Sequence, residues 1–222
     1  MEDFERKRVV VTGSAGVVGG VVARAFHDAG ATVTGIDIVE HDAPYPTLVA
    51  DLIDPAGARG AVNDIGEIDI LANIAGGFTM GDTVAETSDD TWDFMMNLNA
   101  RTVLNMTRAV VPGMVARGSG KIVNIGARGA LRGAAAMGAY VASKSVVIRL
   151  TETLSDELKT QGINVNCILP SIIDTPTNRA DMPKAKFDLW VPPEHIAGVV
   201  LFLASSAADS IHGASIPVEA LV

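Results

Sequence analysis

Residues 9–20 read VVVTGSAGVVGG: three valines, a threonine, and a loop rich in glycine. The valines predict a buried strand, and the apolar residues from Val17 onward predict a helix. Glycines between a strand and a helix let the backbone turn tightly and approach a pyrophosphate, whose charge the helix N-terminus favours. Taken alone, the stretch fits a mere tight turn equally well. Its context therefore decides whether it binds a dinucleotide.

Short β-branched runs alternate with helix-length segments along the rest of the chain. The strand-like runs cover residues 8–11, 32–37, 48–51, 68–75, 121–126, 163–169 and 214–218. Helices are predicted over Val17–Ala29, Ser88–Arg117 and Ala139–Gln161, and Pro192–Pro193 precede a last predicted helix that runs to about Ala207. Because parallel strands need long crossover connections, this alternation predicts an α/β fold with one doubly wound parallel sheet of about seven strands, helices on both faces.

In such a Rossmann sheet, ligands bind beyond the carboxyl ends of the strands. The loops at 12–19, 37–46, 75–87, 126–138 and 170–192 are therefore expected to line one crevice. No repeat or linker interrupts the chain, and residues 1–222 are predicted to form a single domain.

The composition narrows the choice of partners. Seventeen Lys and Arg against 26 Asp and Glu give a net charge of −9, which opposes binding to nucleic acid and to anionic membranes. The N-terminal MEDFERKR has no apolar core, and no apolar stretch approaches the ~20 residues of a membrane span, so a cytoplasmic protein with a small-molecule substrate is expected. The one cysteine, Cys167, is expected to be a buried thiol, and the four scattered histidines predict no metal site.

An acidic residue supports the dinucleotide interpretation. Asp37 ends the second strand, eighteen residues after Gly19, where a carboxylate can accept both ribose hydroxyls of an adenosine. No Lys or Arg stands between Thr32 and Arg59, so a 2′-phosphate would meet Asp37 without a compensating cation. NAD(H) is therefore predicted in preference to NADP(H). A solvated acid at a strand end is the alternative.

Tyr140 and Lys144 are the candidate catalytic pair. They lie four residues apart at the start of a long helix and so share one face. A phenol is a poor acid at neutral pH, and a neighbouring ammonium is expected to lower its pKa by favouring the phenolate. In isolation such a pair is often a solvated helix face. Here it opens a helix directly after the fifth strand, on the crevice side.

These motifs resemble the short-chain dehydrogenase/reductase family through TGSAGVVG, NIAGG, MMNLNA, GKIVNI, YVASK and the LP of NCILP. The resemblance implies that Tyr140 is the proton donor, that Lys144 holds the ribose, and that Asn97 joins Lys144 in a proton relay. A serine that donates to the substrate oxygen in the family aligns with Ala127, whose methyl cannot donate. The glycine loop also departs from the family, with Val17 where a glycine is common.

The predicted cofactor residues lie on the glycine loop, after the strands and on the long helix. They are Gly13, Ser14, Gly16, Val17, Val18, Gly19, Asp37, Asp51, Leu52, Asn73, Ala75, Gly76, Tyr140, Lys144, Pro170, Ile173 and Thr175. The Asn73–Gly77 run offers a second close backbone approach, and Asp51 and Leu52 are expected to face the adenine. Thr175 is expected at the nicotinamide amide, or as a cap of the turn before Pro176.

A narrower resemblance concerns the substrate. The stretch LPSIIDTPTNRADMPKAKFDLW (169–190) is similar to the corresponding loop of the dihydropteridine reductases, a branch of the same superfamily that also lacks the serine and prefers NADH. The resemblance implies hydride transfer to a conjugated C=N or C=O group. Phe78 stands where that branch commonly has tryptophan. The predicted substrate residues are Phe78, Ala127, Met137 and Trp190, with Trp190 equally able to cap the core.

Two other functions stay open at this point. One is a general ketone or alcohol oxidoreductase in which a loop hydroxyl or water replaces the serine. The other is a non-catalytic NAD-binding sensor or scaffold, which has little need of the Tyr140 phenol. Helices 88–117 and 139–161 carry more apolar residues than one buried face needs, which favours a homodimer or homotetramer.

Overall fold

One parallel sheet organises the computed structural model, which describes residues 4–221. Its seven strands follow the order β3-β2-β1-β4-β5-β6-β7, and every neighbouring pair is parallel. The strands are β1 Arg8–Thr12, β2 Thr32–Asp37, β3 Thr47–Val49, β4 Ile70–Asn73, β5 Gly120–Ile125, β6 Ile163–Pro170 and β7 Ser215–Val218. The predicted doubly wound sheet is confirmed.

Helices connect the strands on both faces of the sheet. They are α1 Val17–Asp28, α2 Pro55–Ile65, α3 Asp89–Met95, α4 Thr102–Arg117, α5 Gly138–Leu158, α6 Pro176–Asp181 and α7 Pro193–Ala204. Short 3₁₀ turns cover Arg128–Leu131, Lys159–Gln161, Phe187–Leu189 and Ser206–Ala208. Two of these helices were not predicted. For α2 the signal was present, because Asp54 caps it by accepting from Ala56 N at 2.9 Å and Pro55 takes the first position.

The helix predicted over Ser88–Arg117 is interrupted. Ser88 caps its start as expected, with Oγ accepting from Thr91 N at 3.1 Å. Between α3 and α4, Met96–Arg101 forms a π-helical turn. A π turn widens the helix and changes the direction of the side chains that follow. This turn contains Asn99, which is fully buried.

The core lies in two layers, one on each face of the sheet. One layer joins the strands to α1 and α7 and includes Phe26, Ile168 and Val200. The other lies under α2, α4 and α5. Cys167 belongs to this second layer and is fully buried, as predicted for a structural thiol. Burial raises the pKa of its thiol to about 11, so it carries no charge at neutral pH.

Candidate active site

The glycine loop packs its backbone against the end of β4. Gly13 has φ +70°, and a Cβ there would lie 2.8 Å from Ala75 Cα. A Cβ on Gly19 would overlap the carbonyl oxygen of Gly13. Gly16 precedes α1 with no side-chain cap, so the first N–H groups of α1 are not covered by a side chain. The loop therefore has the tight turn and the open helix N-terminus that a pyrophosphate requires.

Asp37 is fixed beside this loop. One carboxylate oxygen accepts from Ala15 N at 3.0 Å and the other from Ile38 N at 2.7 Å. Ser14 is buried, and its Oγ has no hydrogen-bond partner among residues 4–221. The Ser14 side chain fits against β2 because residue 35 is a glycine, since a Cβ on Gly35 would be 2.5 Å from Ser14 Oγ. The Asp37 carboxylate is suited to accept from the hydroxyl groups of a ribose, whereas the Ser14 hydroxyl is buried against Gly35 of β2.

A turn after β3 carries the predicted adenine contacts, Asp51 and Leu52. Asp51 Oδ1 accepts from Ile53 N at 2.8 Å, while the Leu52 side chain is buried. Asn105 of α4 holds the turn by donating to Leu52 O at 3.0 Å and to Ile53 O at 2.9 Å. Sequence reasoning missed Asn105, although an amide inside an apolar helix stretch was a usable signal.

Burial dominates the electrostatics of the candidate catalytic pair. Lys144 is buried and donates from Nζ to Ile125 O at 2.9 Å. Desolvation lowers its pKa to about 8, because a buried ammonium loses its hydration. Desolvation likewise raises the pKa of Tyr140 to about 12. The expectation that Lys144 lowers the pKa of Tyr140 does not hold in this structure, since burial is the sole cause that acts on Tyr140.

Asn99, rather than Asn97, lies beside Lys144. A Cβ on Gly76 would be 2.7 Å from Asn99 Oδ1 and 3.0 Å from Lys144 Nζ, so both atoms border one small space. Asn97 instead accepts at Oδ1 from Arg101 Nε at 2.8 Å, near the surface. The placement predicted for Asn97 is therefore wrong. Helical side chains two residues apart point about 200° apart, so just one of the two asparagines can face the site.

Two further contacts tie Asn99 to its surroundings. Its amide exchanges hydrogen bonds with the backbone of Gly77, accepting at 3.0 Å and donating at 3.1 Å. It also donates to Ser143 Oγ at 3.0 Å, and Ser143 donates to Tyr140 O at 2.8 Å. Ser143 was not singled out from the sequence. It connects the π turn to the first turn of α5 and so sets where Tyr140 stands.

Two of the predicted substrate residues, Phe78 and Ala127, lie in the surroundings of Tyr140, and Met137 lines a neighbouring cleft. The Phe78 ring meets the Tyr140 ring edge to face, with centroids 4.8 Å apart, and is 50% exposed. The Ala127 methyl is buried in the cluster that Tyr140 packs against. Met137 precedes α5 and lines a cleft together with Met80 and Ala136. An apolar, partly exposed surface therefore adjoins the phenol.

Other predicted residues take different positions. Trp190 is 3% exposed and packs on Phe187 at 4.9 Å between ring centroids, which agrees with core capping and contradicts substrate contact. The Asn73 side chain does not face the crevice, because Nδ2 donates to Asn124 Oδ1 at 2.8 Å within the sheet. Thr175 caps α6 by accepting from Asn178 N at 3.2 Å.

The remaining predicted cofactor residues lie at the carboxyl edge. Ala75 N donates to Thr12 Oγ1 at 3.0 Å, which holds the start of the 75–87 loop against β1. Val17 is 44% exposed at the start of α1, and Val18 packs partly against the core. Pro170 ends β6, and Ile173 bridges to Val191 across the 170–192 loop.

The comparisons with known proteins agree with this arrangement. Residues 7–186 match the short chain dehydrogenase family. The chain is 35% identical to 2-dehydro-3-deoxy-D-gluconate 5-dehydrogenase of Escherichia coli, with 97% of this chain and 95% of the relative covered. It is 32% identical to the enzyme of the same name from Dickeya dadantii, with 98% and 95% covered. A solved gluconate 5-dehydrogenase from Burkholderia cenocepacia, in complex with NADP and tartrate, superimposes with a TM-score of 0.91 at 28% identity, with 98% and 95% covered.

The chain belongs to the short-chain dehydrogenase family and is an NAD(P)-dependent oxidoreductase. The relatives do not place it in the dihydropteridine reductase branch. Among residues 4–221, no helix has the length and apolar character that a membrane span requires. In that same range no three His, Cys, Asp or Glu side chains are grouped as metal ligands.

Proposed function

We propose that the enzyme interconverts a ketone and a secondary alcohol on a small polar molecule, with Tyr140 as the proton donor. The observation that carries this proposal is the position of Tyr140 and Lys144. They lie one helical turn apart, and Lys144 lies beside Gly76 at the carboxyl edge of the sheet. The relatives that act on derivatives of gluconate make hydroxylated carboxylic acids the first substrates to test.

Each side chain has a distinct part in this proposal. The bound nicotinamide supplies or accepts the hydride. Tyr140 transfers the hydroxyl proton to the substrate oxygen, and its place beside the half-exposed Phe78 ring gives the substrate access to it. Lys144 holds the ribose, and Asn99 orients the groups around Lys144. Gly13, Gly19 and the start of α1 hold the pyrophosphate.

The electrostatics of the loop favour NAD(H) over NADP(H). Asp37 is held by two backbone N–H groups, and no Lys or Arg occupies residues 25–58. A 2′-phosphate at this place would face a fixed carboxylate at close range, which costs about 1 to 4 kcal/mol in a partly screened setting. The solved relative from Burkholderia cenocepacia points the other way, because it binds NADP, so the preference for NAD(H) is a proposal that needs both cofactors to be compared.

A second candidate is the reduction of a conjugated C=N group, as in the dihydropteridine reductases. Ala127 favours it, because a substrate that spreads its developing charge over a ring depends less on a hydroxyl donor. The Phe78 ring beside Tyr140 offers an aromatic contact for such a substrate.

Steady-state assays separate the candidates. Oxidation of hydroxy acids, reduction of simple ketones and reduction of a quinonoid dihydropterin are each measured with both nicotinamides. Turnover of hydroxy acids or ketones supports the leading proposal, and turnover of the pterin alone supports the second. Tight NADH binding without turnover of any substrate would instead support a non-catalytic sensor.

Tyr140→Phe tests the assignment of the proton donor. We expect kcat to fall by a factor of about 10² to 10⁴, the usual contribution of a positioned acid or base. Fluorescence titration should give an NADH dissociation constant near that of the wild type, since the ring is kept. An unchanged kcat would exclude Tyr140 as the donor.

We also propose that copies of the chain pair through α5. A groove on this helix is lined by Ser145, Val146, Arg149, Leu150 and Thr153, and Trp92 and Phe94 of α3 are exposed. Light scattering should give a dimer or tetramer, whereas a monomer at micromolar concentration would contradict the proposal.

A further inference from the structure

Ala127 leaves the active-site loop without a hydroxyl. Its buried methyl packs in the same cluster as Tyr140 but can donate no hydrogen bond. Loss of one donor at a developing oxyanion typically reduces turnover by a factor of about 10² to 10³. A hydroxyl from another element would therefore have a large effect on the reduction of an ordinary ketone.

Most polar side chains near Ala127 already have partners. Arg128 pairs with Glu219 through Nε. Ser143 donates to Tyr140 O and accepts from Asn99. Ser145 lies within hydrogen-bond distance of Ala130 O at 3.0 Å and of Val141 O at 2.8 Å. Neither serine has a hydroxyl proton left for a substrate, and the Arg128 side chain is held at Glu219.

Ser171 differs from these residues. It follows β6 directly, and its Oγ is buried with no hydrogen-bond partner among residues 4–221. A buried hydroxyl without a partner costs about 1 to 3 kcal/mol, so it calls for an explanation. A substrate oxygen that accepts from it would remove that cost.

The register of the sheet places Ser171 on the Tyr140 side. Along β6, Ile168 belongs to the layer under α1 and α7, whereas Cys167 and Leu169 belong to the cluster with Ala127 and Tyr140. Ser171 N donates to Val218 O at 3.1 Å, so the ladder continues to this residue. Because strand side chains alternate, Ser171 follows Leu169 on the same face.

The same register brings Ser171 close to the end of β5. Ile125 pairs with Ile168, and Gly126 N donates to Ile168 O at 2.9 Å. A Cβ on Gly126 would be 2.6 Å from Leu169 Cδ2, so the segment after β5 contacts β6 one residue before Ala127. Ser171 is therefore the next polar side chain on the neighbouring strand at this edge.

We propose that Ser171 Oγ donates a hydrogen bond to the substrate carbonyl oxygen and replaces the serine that Ala127 lacks. Ser171 keeps its proton throughout, and the proton that the oxygen gains comes from Tyr140. The inference rests on the proposed ketone–alcohol activity and adds a residue from a different strand to that site.

The test moves the hydroxyl between the two strands. Ser171→Ala is expected to lower kcat on a ketone by about 10² to 10³ with an unchanged NADH dissociation constant. Adding Ala127→Ser to that variant should raise its kcat on the ketone at least tenfold. Ser215 Oγ is also buried without a hydrogen-bond partner among residues 4–221, but in the β6–β7 register Ser215 lies opposite Cys167, farther from the edge. Ser215→Ala is therefore the matched control. Its kcat should equal that of the wild type.

The possible outcomes are distinct. Wild-type kcat in Ser171→Ala would overturn the inference, as would a weaker NADH affinity with unchanged kcat, which would assign the hydroxyl to the cofactor. Neither result would affect the proposed function, which depends on the Tyr140→Phe measurement. A kcat loss that is larger for a simple ketone than for a conjugated acceptor would support the inference further.

Discussion

The nucleotide-side region (residues 12–19, 35–37 and 50–53) and the substrate-side region (residues 75–87, 126–138 and 170–192) are built differently. The first relies on backbone groups and on absent side chains, with Gly13, Gly19 and Gly35 leaving room for close contacts. The second exposes apolar side chains, among them Phe78, Met80, Val84, Leu131 and Met182. The first region therefore has little freedom to vary, whereas the second can change its substrate by changing side chains.

The point where both regions meet is the buried group of Lys144, Asn99 and Ser143. These polar groups are buried, where a lost hydrogen bond costs more than it does at the surface. Their positions therefore depend on accurate hydrogen bonds more than those of either region do. Substitutions at this junction should have larger effects than those in the nucleotide-side region.

Among substitutions at this junction, Lys144→Met is expected to have the largest effect. Loss of the group that holds the ribose should lower kcat/KM on the order of 10³-fold, as measured by initial rates. The same substitution should increase the stability of the fold. Because the pKa of Lys144 is lowered in the folded state, the buried ammonium destabilises the wild type below pH 8. Wild-type stability therefore rises as the pH goes from about 8 to 10.5.

The stability of this variant can be followed against pH. Removing the charge should raise the free energy of unfolding at pH 7 by roughly 2 kcal/mol, after about 1 kcal/mol is subtracted for the lost bond to Ile125 O. The gain should shrink above pH 8, as measured by urea unfolding. Lys159→Met, at an exposed lysine, is the control and should change stability little. A destabilised Lys144→Met would contradict the burial argument.

The pair Asn99→Ala and Asn97→Ala sharpens the comparison within one turn of helix. We expect kcat to fall on the order of 10²-fold for Asn99→Ala, because the space beside Lys144 and the link to Ser143 are lost. Asn97→Ala removes a bond to Arg101 near the surface and should keep wild-type kcat. Equal effects in the two variants would show that the π turn does not select between the asparagines.

Asp37→Ser should have the smallest effect of the three and should act chiefly on cofactor choice. Removing the carboxylate should lower the ratio of kcat/KM for NADH to that for NADPH by about tenfold, or about 1.4 kcal/mol. Asp64→Ser removes a charge from the exposed face of α2 and serves as the control. If both variants change the ratio equally, the effect is one of net charge and not of Asp37.

The sheet architecture could be predicted from the amino-acid sequence, because strand periodicity and glycine spacing are local properties of the chain. β2 was predicted with its observed bounds, and the loop after β1 was recognised from its glycines. Tyr140 and Lys144 were selected as candidates because their spacing of four residues gives them a shared helix face. Asp37 was selected because it ends a predicted strand, and the structure places it beside that loop.

Contacts between distant segments determine which polar groups meet and in which direction burial shifts their pKa values. The motif MMNLNA contains both Asn97 and Asn99, and the π turn and its contact with Gly77 determine which one faces Lys144. The sequence predicted an acidified Tyr140, but depth of burial raised its pKa instead. Ser171 had no local signal, since its importance comes from the register of β5 and β6. Burial and register depend on distant segments, and no local pattern contains them.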